Sequence, residues 1–272
     1  MCDNCGCEQP HPFQVHPGPG AAPTHHGHHS HDEVHAHEAQ GGWHAHTAQD
    51  GAVSWHSHES QAPKPILDAN QREAERNRGY FRARGILALN LVSSPGSGKT
   101  TLLRATLERM HARVGCAVVV GDLETQADAQ ALRSTGAPAV QITTGTVCHL
   151  DARMVAAAVD ALPKEDIRLL FIENVGNLVC PASFDLGETH RIVLLATTEG
   201  ENKPLKYPPI FHGARAVVIT KTDLAQAAGF DVTLARQAIA QVAPQAEIIE
   251  LSSRSGEGLE TWTAFLDRLL DS

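Results

Sequence analysis

A glycine-rich stretch between an apolar run and a helical pattern carries the residues best suited to chemistry. It reads Ser93-Ser94-Pro95-Gly96-Ser97-Gly98-Lys99-Thr100-Thr101, with Ser93 where the strict pattern has glycine. Glycines let backbone N–H groups close around a phosphate, and the following helix adds the positive end of its dipole. Lys99 would neutralise the β- and γ-phosphates, and the Thr100 hydroxyl would hold Mg²⁺. The stretch predicts a phosphate-binding loop whose binding residues are Gly96, Ser97, Gly98, Lys99, Thr100 and Thr101.

Two further segments follow predicted strands and are typical of a nucleotide hydrolase. Glu173 and Gly176 have the spacing of a carboxylate that reaches Mg²⁺ through water and a glycine whose N–H senses the γ-phosphate. Asp122, at the end of another strand, and Asp128 are candidates for the Mg²⁺ and switch region. The predicted catalytic set is Lys99, Thr100, Asp122 and Glu173.

The base side is predicted from Thr220-Lys221-Thr222-Asp223, which resembles the Asn-Lys-x-Asp base-reading motif. Asp223 can accept from both N1–H and the N2 amine of guanine, donors that adenine does not offer in that arrangement. Because Thr220 replaces the asparagine, we expect the brace that this side chain normally gives the phosphate loop to be missing. We therefore expect GTP rather than ATP as the bound nucleotide. The residues expected to surround the base, called the base-side residues, are Lys221, Asp223, Ser252, Ser253 and Arg254.

Cysteine and histidine residues form three groups that point to metal binding. Cys2, Cys5 and Cys7 can wrap one ion, square-planar Ni²⁺ with the α-amine or tetrahedral Zn²⁺. Residues 9–64 hold 13 of the 17 histidines at short, irregular spacings, a pattern that binds Ni²⁺, Zn²⁺ or Cu²⁺ multivalently; an affinity tag or a merely soluble tail is the alternative. The third group is Cys148, His149 and Cys180, for which core packing is the alternative; Cys116, within an apolar run, is expected to be a core residue.

Apolar strands alternating with helical patterns predict the elements that position these groups. We expect a helix of about fifteen residues from Pro65 to near Gly85, then strands at 86–92, 116–120, 167–172, 191–196, 216–220 and 247–251, with helices at 102–113 and 150–161. This order predicts an α/β fold of the P-loop NTPase type, with a mostly parallel sheet and helices on both faces. In such sheets ligands bind at the carboxyl ends of the strands, and polar residues occupy these ends in the predicted sheet.

Charge and composition divide the chain into a tail and a folded domain. Residues 1–60 have no Lys or Arg and seven acidic residues, which leaves 22 basic and 24 acidic residues elsewhere. We expect a metal-binding motif at 1–8, a disordered His-rich tail at 9–64 and a GTPase domain at 65–272. No basic surface suggests nucleic acid, and no apolar run or signal sequence suggests a membrane or secretion. A soluble, cytoplasmic protein with free thiols is expected.

The chain resembles the HypB family of nickel-inserting hydrogenase maturation GTPases, relatives of the urease accessory GTPase. The resemblance rests on the motifs above, on Cys148-His149-Leu150-Asp151, on Glu173 to Pro181 and on Thr198 to Pro208. It implies a GTP-dependent homodimer with the second metal site at the subunit interface. It also implies transfer of Ni²⁺ to the hydrogenase large subunit with a HypA-type partner. The alternative is a nickel store whose nucleotide domain controls dimerisation.

Overall fold

The computed structural model describes residues 13–17, 44–47, 53–56, 64–123, 127–163 and 166–272. Its strands, in chain order, are β1 (Gln14–His16), β2 (His44–Thr47), β3 (Val53–His56), β4 (Leu87–Ser93), β5 (Cys116–Asp122), β6 (Ala139–Thr143), β7 (Leu169–Glu173), β8 (His190–Ala196), β9 (Ala214–Thr220) and β10 (Glu247–Glu250). Eight of them form one sheet in the order β1-β6-β5-β7-β4-β8-β9-β10, and β2 pairs with β3 in a separate hairpin. All neighbours in the large sheet are parallel except β1, which is antiparallel to β6.

The helices follow the strands in the manner of a doubly wound fold. They are α1 (Lys64–Arg84), α2 (Lys99–Met110), α3 (Ala127–Arg133), α4 (Ala152–Asp160), α5 (Lys203–Lys206), α6 (Pro208–His212), α7 (Ala225–Ala228), α8 (Val232–Val242) and α9 (Leu259–Leu270). Short 3₁₀ turns occur at Cys180–Ala182 and Thr222–Leu224. The predicted α/β fold with a mostly parallel sheet is confirmed.

Apolar side chains on both faces of the strands explain why helices cover the sheet on both sides. Leu89 and Leu91 of β4 pack with Leu102 of α2 and Phe265 of α9 in one cluster. Ala88, on the opposite face of β4, belongs to the cluster that includes residues of α1 and α4. A third cluster joins β8 and β9 to α6 and α8. Buried strands need apolar residues at successive positions, which is why they read as continuous apolar runs.

Strand β6 was not among the predicted strands, and several of the predicted elements differ from the structure at their ends. The lead-in helix α1 has 21 residues rather than about fifteen, and polar residues along it, Asn70 and Asn77, are buried against the rest of the domain. Helix α2 begins at Lys99 rather than Leu102, since the phosphate loop passes directly into the helix.

The N-terminal segment expected to be disordered contains three strands. Strand β1 pairs Gln14 with Thr143 and His16 with Gln141, and β2 and β3 form an antiparallel pair. An open sheet edge offers unpaired N–H and C=O groups, so even a three-residue segment can add to it. The rest of the expected tail, residues 9–12, 18–43, 48–52 and 57–63, lies outside the described residues.

None of the helices in the described part of the chain combines the length and the apolar character needed to cross a membrane.

Candidate functional site

The loop between β4 and α2 has the backbone conformation that its glycines predict. Gly96 and Gly98 adopt φ values of 70° and 96°, in the left-handed region that residues with a Cβ rarely enter. Gly98 caps α2, and its carbonyl accepts from Leu102 N at 2.9 Å. The loop therefore delivers its N–H groups and the positive end of α2 to one point, where an anion would bind.

Lys99 is buried at the base of this loop and is held by Ser93. Its Nζ donates to Ser93 Oγ at 2.9 Å, and Ser97 Oγ donates to the same oxygen at 2.5 Å. Burial lowers the pKa of Lys99, partly offset by the carboxylates of Glu173, Asp128, Glu199 and Asp122. Ser93, the departure from the strict pattern, thus supplies an oxygen that positions the lysine.

Glu173, at the end of β7, faces Thr100 across the loop. Thr100 Oγ1 donates to Glu173 Oε1 at 2.7 Å, while Glu173 Oε2 is buried and has no hydrogen-bond partner among the described residues. Burial raises the pKa of Glu173 to about 7, although Lys99 and Thr100 oppose the shift. A buried carboxylate oxygen without a partner, next to a threonine hydroxyl, is a donor set that fits Mg²⁺.

The other acidic candidates lie near this pair. Asp122 ends β5 and accepts from Leu123 N at 2.8 Å, and Asp128 lies in the first turn of α3. Both raise the pKa of Glu173, so their charges reach the same region. Residues 124–126 between them lie outside the described part of the chain.

Gly176 lies directly against the phosphate loop. A Cβ built on it would come within 2.8 Å of Pro95 Cα, so only glycine allows this approach. The segment after β7 therefore contacts the loop between β4 and α2 through backbone atoms. Any movement of one of these two segments along this contact must displace the other.

The base-side residues surround a cavity of about 210 Å³ beside the loop. Its lining residues are Ser97, Gly98, Thr101, Thr220, Lys221, Asp223, Leu224, Ser252, Ser253 and Arg254. Lys221 has a left-handed backbone (φ 60°), and its Nζ donates to Gly96 O at 2.7 Å.

Thr220 braces the phosphate loop, contrary to the sequence expectation. Its Oγ1 donates to Ser97 O at 2.7 Å, and the side chain is 3% exposed. The threonine side chain is shorter than that of the asparagine in the motif. Its hydroxyl still reaches the phosphate loop, because β9 ends beside that loop. Thr220 therefore supports the phosphate loop through one hydrogen bond, in the position where the motif has asparagine.

Cys148, His149 and Cys180 come together, as the metal-site prediction requires. One ligand atom from each lies within 4.8 Å of the others, and the two sulfurs are 2.9 Å apart. Hydrogen bonding with Cys180 and with His149 lowers the pKa of the Cys148 thiol to about 4. A thiolate is the form that binds metal, so the lowered pKa of Cys148 favours metal binding.

His149 is oriented by its surroundings in a way that fits a ligand. Its ring stacks on Phe184 with centroids 3.9 Å apart, and its buried Nδ1 has no hydrogen-bond partner among the described residues. Cys116 differs: it is buried in the core, and desolvation raises its pKa to about 12. The core interpretation of Cys116 is confirmed. The predicted N-terminal group, Cys2, Cys5 and Cys7, lies outside the described residues, as do the side chains of the tail histidines apart from His16.

A buried hydrogen-bond network, which the sequence analysis missed, joins the metal loop to the nucleotide side. Asn174 Oδ1 accepts from Leu150 N at 3.2 Å, and Asn174 Nδ2 donates to Asn90 Oδ1 of β4 at 3.2 Å. Asn90 Nδ2 in turn donates to Glu188 Oε1 at 3.0 Å. The signal was available: Asn90 interrupts an apolar strand, and a polar residue buried there needs partners.

Comparison with known proteins agrees with this geometry. Residues 87–250 match the protein family described as CobW/HypB/UreG, nucleotide-binding domain. Hydrogenase maturation factor HypB of Escherichia coli K12 is 54% identical over 202 residues, covering 74% of this chain and 70% of the relative. The probable hydrogenase maturation factor HypB of Methanocaldococcus jannaschii is 40% identical over 205 residues, covering 75% of this chain and 93% of the relative.

Solved structures give the same result. The crystal structure of HypB from Helicobacter pylori in complex with nickel superposes with a TM-score of 0.71 at 41% identity, over 75% of this chain and 95% of that chain. HypB from Archaeoglobus fulgidus has the same TM-score and identity, over 75% of this chain and 99% of that chain. The chain therefore belongs to the HypB group of hydrogenase maturation factors within the CobW/HypB/UreG family.

Proposed function

We propose that this chain is a GTP-hydrolysing nickel metallochaperone that delivers Ni²⁺ to the large subunit of [NiFe]-hydrogenase. The observation that supports the proposal is a hydrogen bond between the segment that carries Cys148 and His149 and the segment that follows Glu173. Asn174, next to Glu173, accepts from Leu150 N, which follows Cys148 and His149. Such an attachment suits a protein in which a nucleotide controls a metal site.

The roles of the nucleotide residues follow from their positions. Lys99 and the loop N–H groups would bind the phosphates, Thr100 and Glu173 would hold Mg²⁺, and Asp223 would read guanine. When bound, Mg²⁺ supplies positive charge that offsets the charge developing on the phosphates. Unassisted relatives of this class hydrolyse GTP at roughly 10⁻⁴ to 10⁻² s⁻¹, and we expect a rate in that range.

The metal cluster fits Ni²⁺ as cargo and accepts Zn²⁺ as well. Two cysteines and a histidine leave room for a fourth ligand, from water, a second subunit or a partner protein. Val179, immediately before Cys180, is 54% exposed, and a large apolar side chain beside metal ligands suits a subunit interface. We therefore include a GTP-dependent homodimer and a HypA-type partner in the proposal, acting in the cytoplasm.

The base assignment has a direct test. Asp223→Asn should weaken GTP binding and improve binding of xanthosine triphosphate, whose O2 replaces the N2 amine of guanine and can accept a hydrogen bond. The measurement is a titration of both nucleotides against the folded variant and the unchanged chain. Equal loss of both nucleotides in a folded variant would reject Asp223 as the base reader.

The nickel-store alternative is distinguished by activity in cells with little nickel. Deleting residues 1–60 would also remove β1, which pairs with the sheet, so substitution of the tail histidines in the full chain is the sharper variant. Hydrogenase activity should survive this substitution if nucleotide-controlled transfer is the main function. Loss of activity that added nickel restores would favour storage.

A further inference from the structure

Thr197, directly after β8, is bonded to the base-side segment but has no role in the proposed function. Its side chain is buried, at 1% exposure, and it is not among the residues that line the cavity. Its backbone N donates to Thr220 O at 3.0 Å, and its Oγ1 donates to Lys221 O at 2.7 Å. Thr197 therefore makes two hydrogen bonds to the end of β9, where the base-side residues begin.

Lys221 has a backbone conformation that a lysine rarely adopts. Its φ of 60° and ψ of 39° lie in the left-handed region, where the Cβ atom comes too close to the following carbonyl oxygen. Among the described residues other than glycine, only Asp166 shares a positive φ. Such a conformation persists only where the surrounding structure holds it, so the contacts of Lys221 must offset its strain.

Three hydrogen bonds act on Lys221, and that from Thr197 fixes its backbone to the sheet. Leu224 N donates to Lys221 O at 2.9 Å, but Leu224 belongs to the same turn and would move with it. Lys221 Nζ donates to Gly96 O at 2.7 Å through a long side chain, which restrains the backbone weakly. The Thr197 hydroxyl comes instead from the neighbouring β8 chain, directly after a buried strand.

The conformation of Lys221 sets the direction in which the chain leaves β9. The next residues form the 3₁₀ turn Thr222–Leu224, whose middle residue is Asp223, and Asp223 lines the cavity. If Lys221 relaxed to an ordinary backbone conformation, the Asp223 carboxylate would be displaced within the cavity. Guanine would then lose hydrogen bonds that adenine never makes with this carboxylate.

We propose that Thr197 is a positioning residue for base recognition. Its hydroxyl holds Lys221 in the left-handed conformation that directs Asp223 into the cavity, and this contributes to the preference for guanine over adenine. The inference rests on the proposed guanine-reading role of Asp223. It names a residue that acts through Lys221 and not by lining the cavity itself.

The test is a titration of GDP and of ADP against the full-length chain and its variants. Thr197→Val keeps nearly the same shape without the hydroxyl, so it should bind GDP about 2- to 12-fold more weakly, as for the loss of one hydrogen bond, and ADP with unchanged affinity. Thr197→Ala, which only removes atoms, is a second hydroxyl-free variant with the same expected result. Thr197→Ser keeps the hydroxyl and should keep the ratio of GDP to ADP affinity. Thr198→Val, at the exposed neighbouring position, is the control and should change neither affinity.

Amide hydrogen exchange supplies a readout that does not depend on nucleotide binding. Exchange at Thr222 and Leu224, in the turn that follows Lys221, should be faster in Thr197→Val and Thr197→Ala than in Thr197→Ser. Equal exchange in the three variants would overturn the inference, because the turn would then not depend on the hydroxyl.

The nucleotide titrations separate this inference from the proposed function. Absence of a preference for GDP in the unchanged chain would reject guanine recognition, and the role of Thr197 with it. Where the unchanged chain prefers GDP, the inference alone is overturned if the hydroxyl-free variants keep that preference, if they lose both nucleotides equally, or if neither of them folds. It is also overturned if Thr197→Ser loses as much of the preference as Thr197→Val.

Discussion

Thr220 departs from the base-reading motif and still makes a hydrogen bond to the loop between β4 and α2. Its hydroxyl donates to Ser97 O, whereas the hydroxyl of Thr222, two residues later, has no hydrogen-bond partner among the described residues. Thr220→Ala should weaken GDP and GTP binding about 2- to 12-fold, since a hydrogen bond contributes roughly 0.5–1.5 kcal/mol. The measurement is a nucleotide titration, with Thr222→Ala as a matched control that should change affinity little. Equal effects of the two substitutions would show that the bond to Ser97 is not the brace.

Glu173 makes the free energy of unfolding depend on pH, and the burial of its carboxyl group determines the sign of this dependence. Its pKa is raised to about 7 in the folded protein, so between about pH 4.5 and 7 the folded state holds a proton that the unfolded chain releases. The stabilising effect of this proton is complete below about pH 4.5, and raising the pH through 7 removes it.

The Glu173→Gln variant has no carboxyl group that titrates at this position, so its stability is the reference for that of the unchanged chain. Relative to the unchanged chain, the free energy of unfolding of the variant should rise by about 2–3 kcal/mol from pH 5 to pH 8, at about 1.4 kcal/mol per pKa unit. Urea unfolding of the Mg²⁺-free, nucleotide-free proteins at the two pH values measures it. A difference between the proteins that stays constant with pH would exclude Glu173 as the titrating group.

At the scale of elements, α1 holds together the two segments that carry the proposed metal ligands. Asn77 Nδ2 donates to Ala152 O, after the Cys148 loop, and to Leu186 O, after Cys180. Asn70 makes the equivalent pair of contacts, accepting from Ala152 N and donating to Asp185 O. A helix that looked like a lead-in from the tail is therefore part of the support of the metal cluster.

Asn77→Ala tests this support. It removes two buried hydrogen bonds, so unfolding should require about 1–3 kcal/mol less. Nickel affinity at the Cys148 cluster should fall as well, because the two ligand segments lose their common anchor. Urea unfolding and a nickel titration of a chain carrying Cys2→Ser measure the two effects. Gln71→Ala, on the exposed face of α1, is the control; it should change neither quantity.

The elements also show what sequence patterns can and cannot predict. Strands such as β8 and β9 begin and end within two residues of their predicted limits because each is a continuous apolar run between turns. The site residues at strand ends followed from the same pattern. Strand β1 could not be predicted, since three residues of mixed polarity have no periodicity and gain their order only from the edge of β6. The contacts of α1 with the metal loops join residues 75 or more positions apart, which spacing alone does not reveal.

At the scale of the whole molecule, the proposed nucleotide and metal sites are parts of one packed unit. Gly176 lies against Pro95 of the phosphate loop, and Cys180 follows four residues later. On the other side, Asn174 bonds both to Asn90, in the strand that leads into that loop, and to Leu150 N in the metal loop. A rearrangement around the γ-phosphate is therefore expected to change the distance between the Cys180 and Cys148 sulfurs.

This arrangement predicts reciprocal coupling between nucleotide and nickel. If GTP changes the nickel affinity of the Cys148 cluster, nickel must change GTP affinity by the same factor, and we expect about 5- to 150-fold. Nickel titrations with GDP and with a non-hydrolysable GTP analogue measure it, using a full chain carrying Cys2→Ser so that only the second site responds. In that background Cys148→Ser or Cys180→Ser should abolish the coupling, and in the unchanged chain either substitution should leave nickel binding by Cys2, Cys5 and Cys7 intact. Equal nickel affinities in the two nucleotide states, with dimerisation followed in parallel, would mean that the cluster is a passive ligand set and that the nucleotide acts elsewhere.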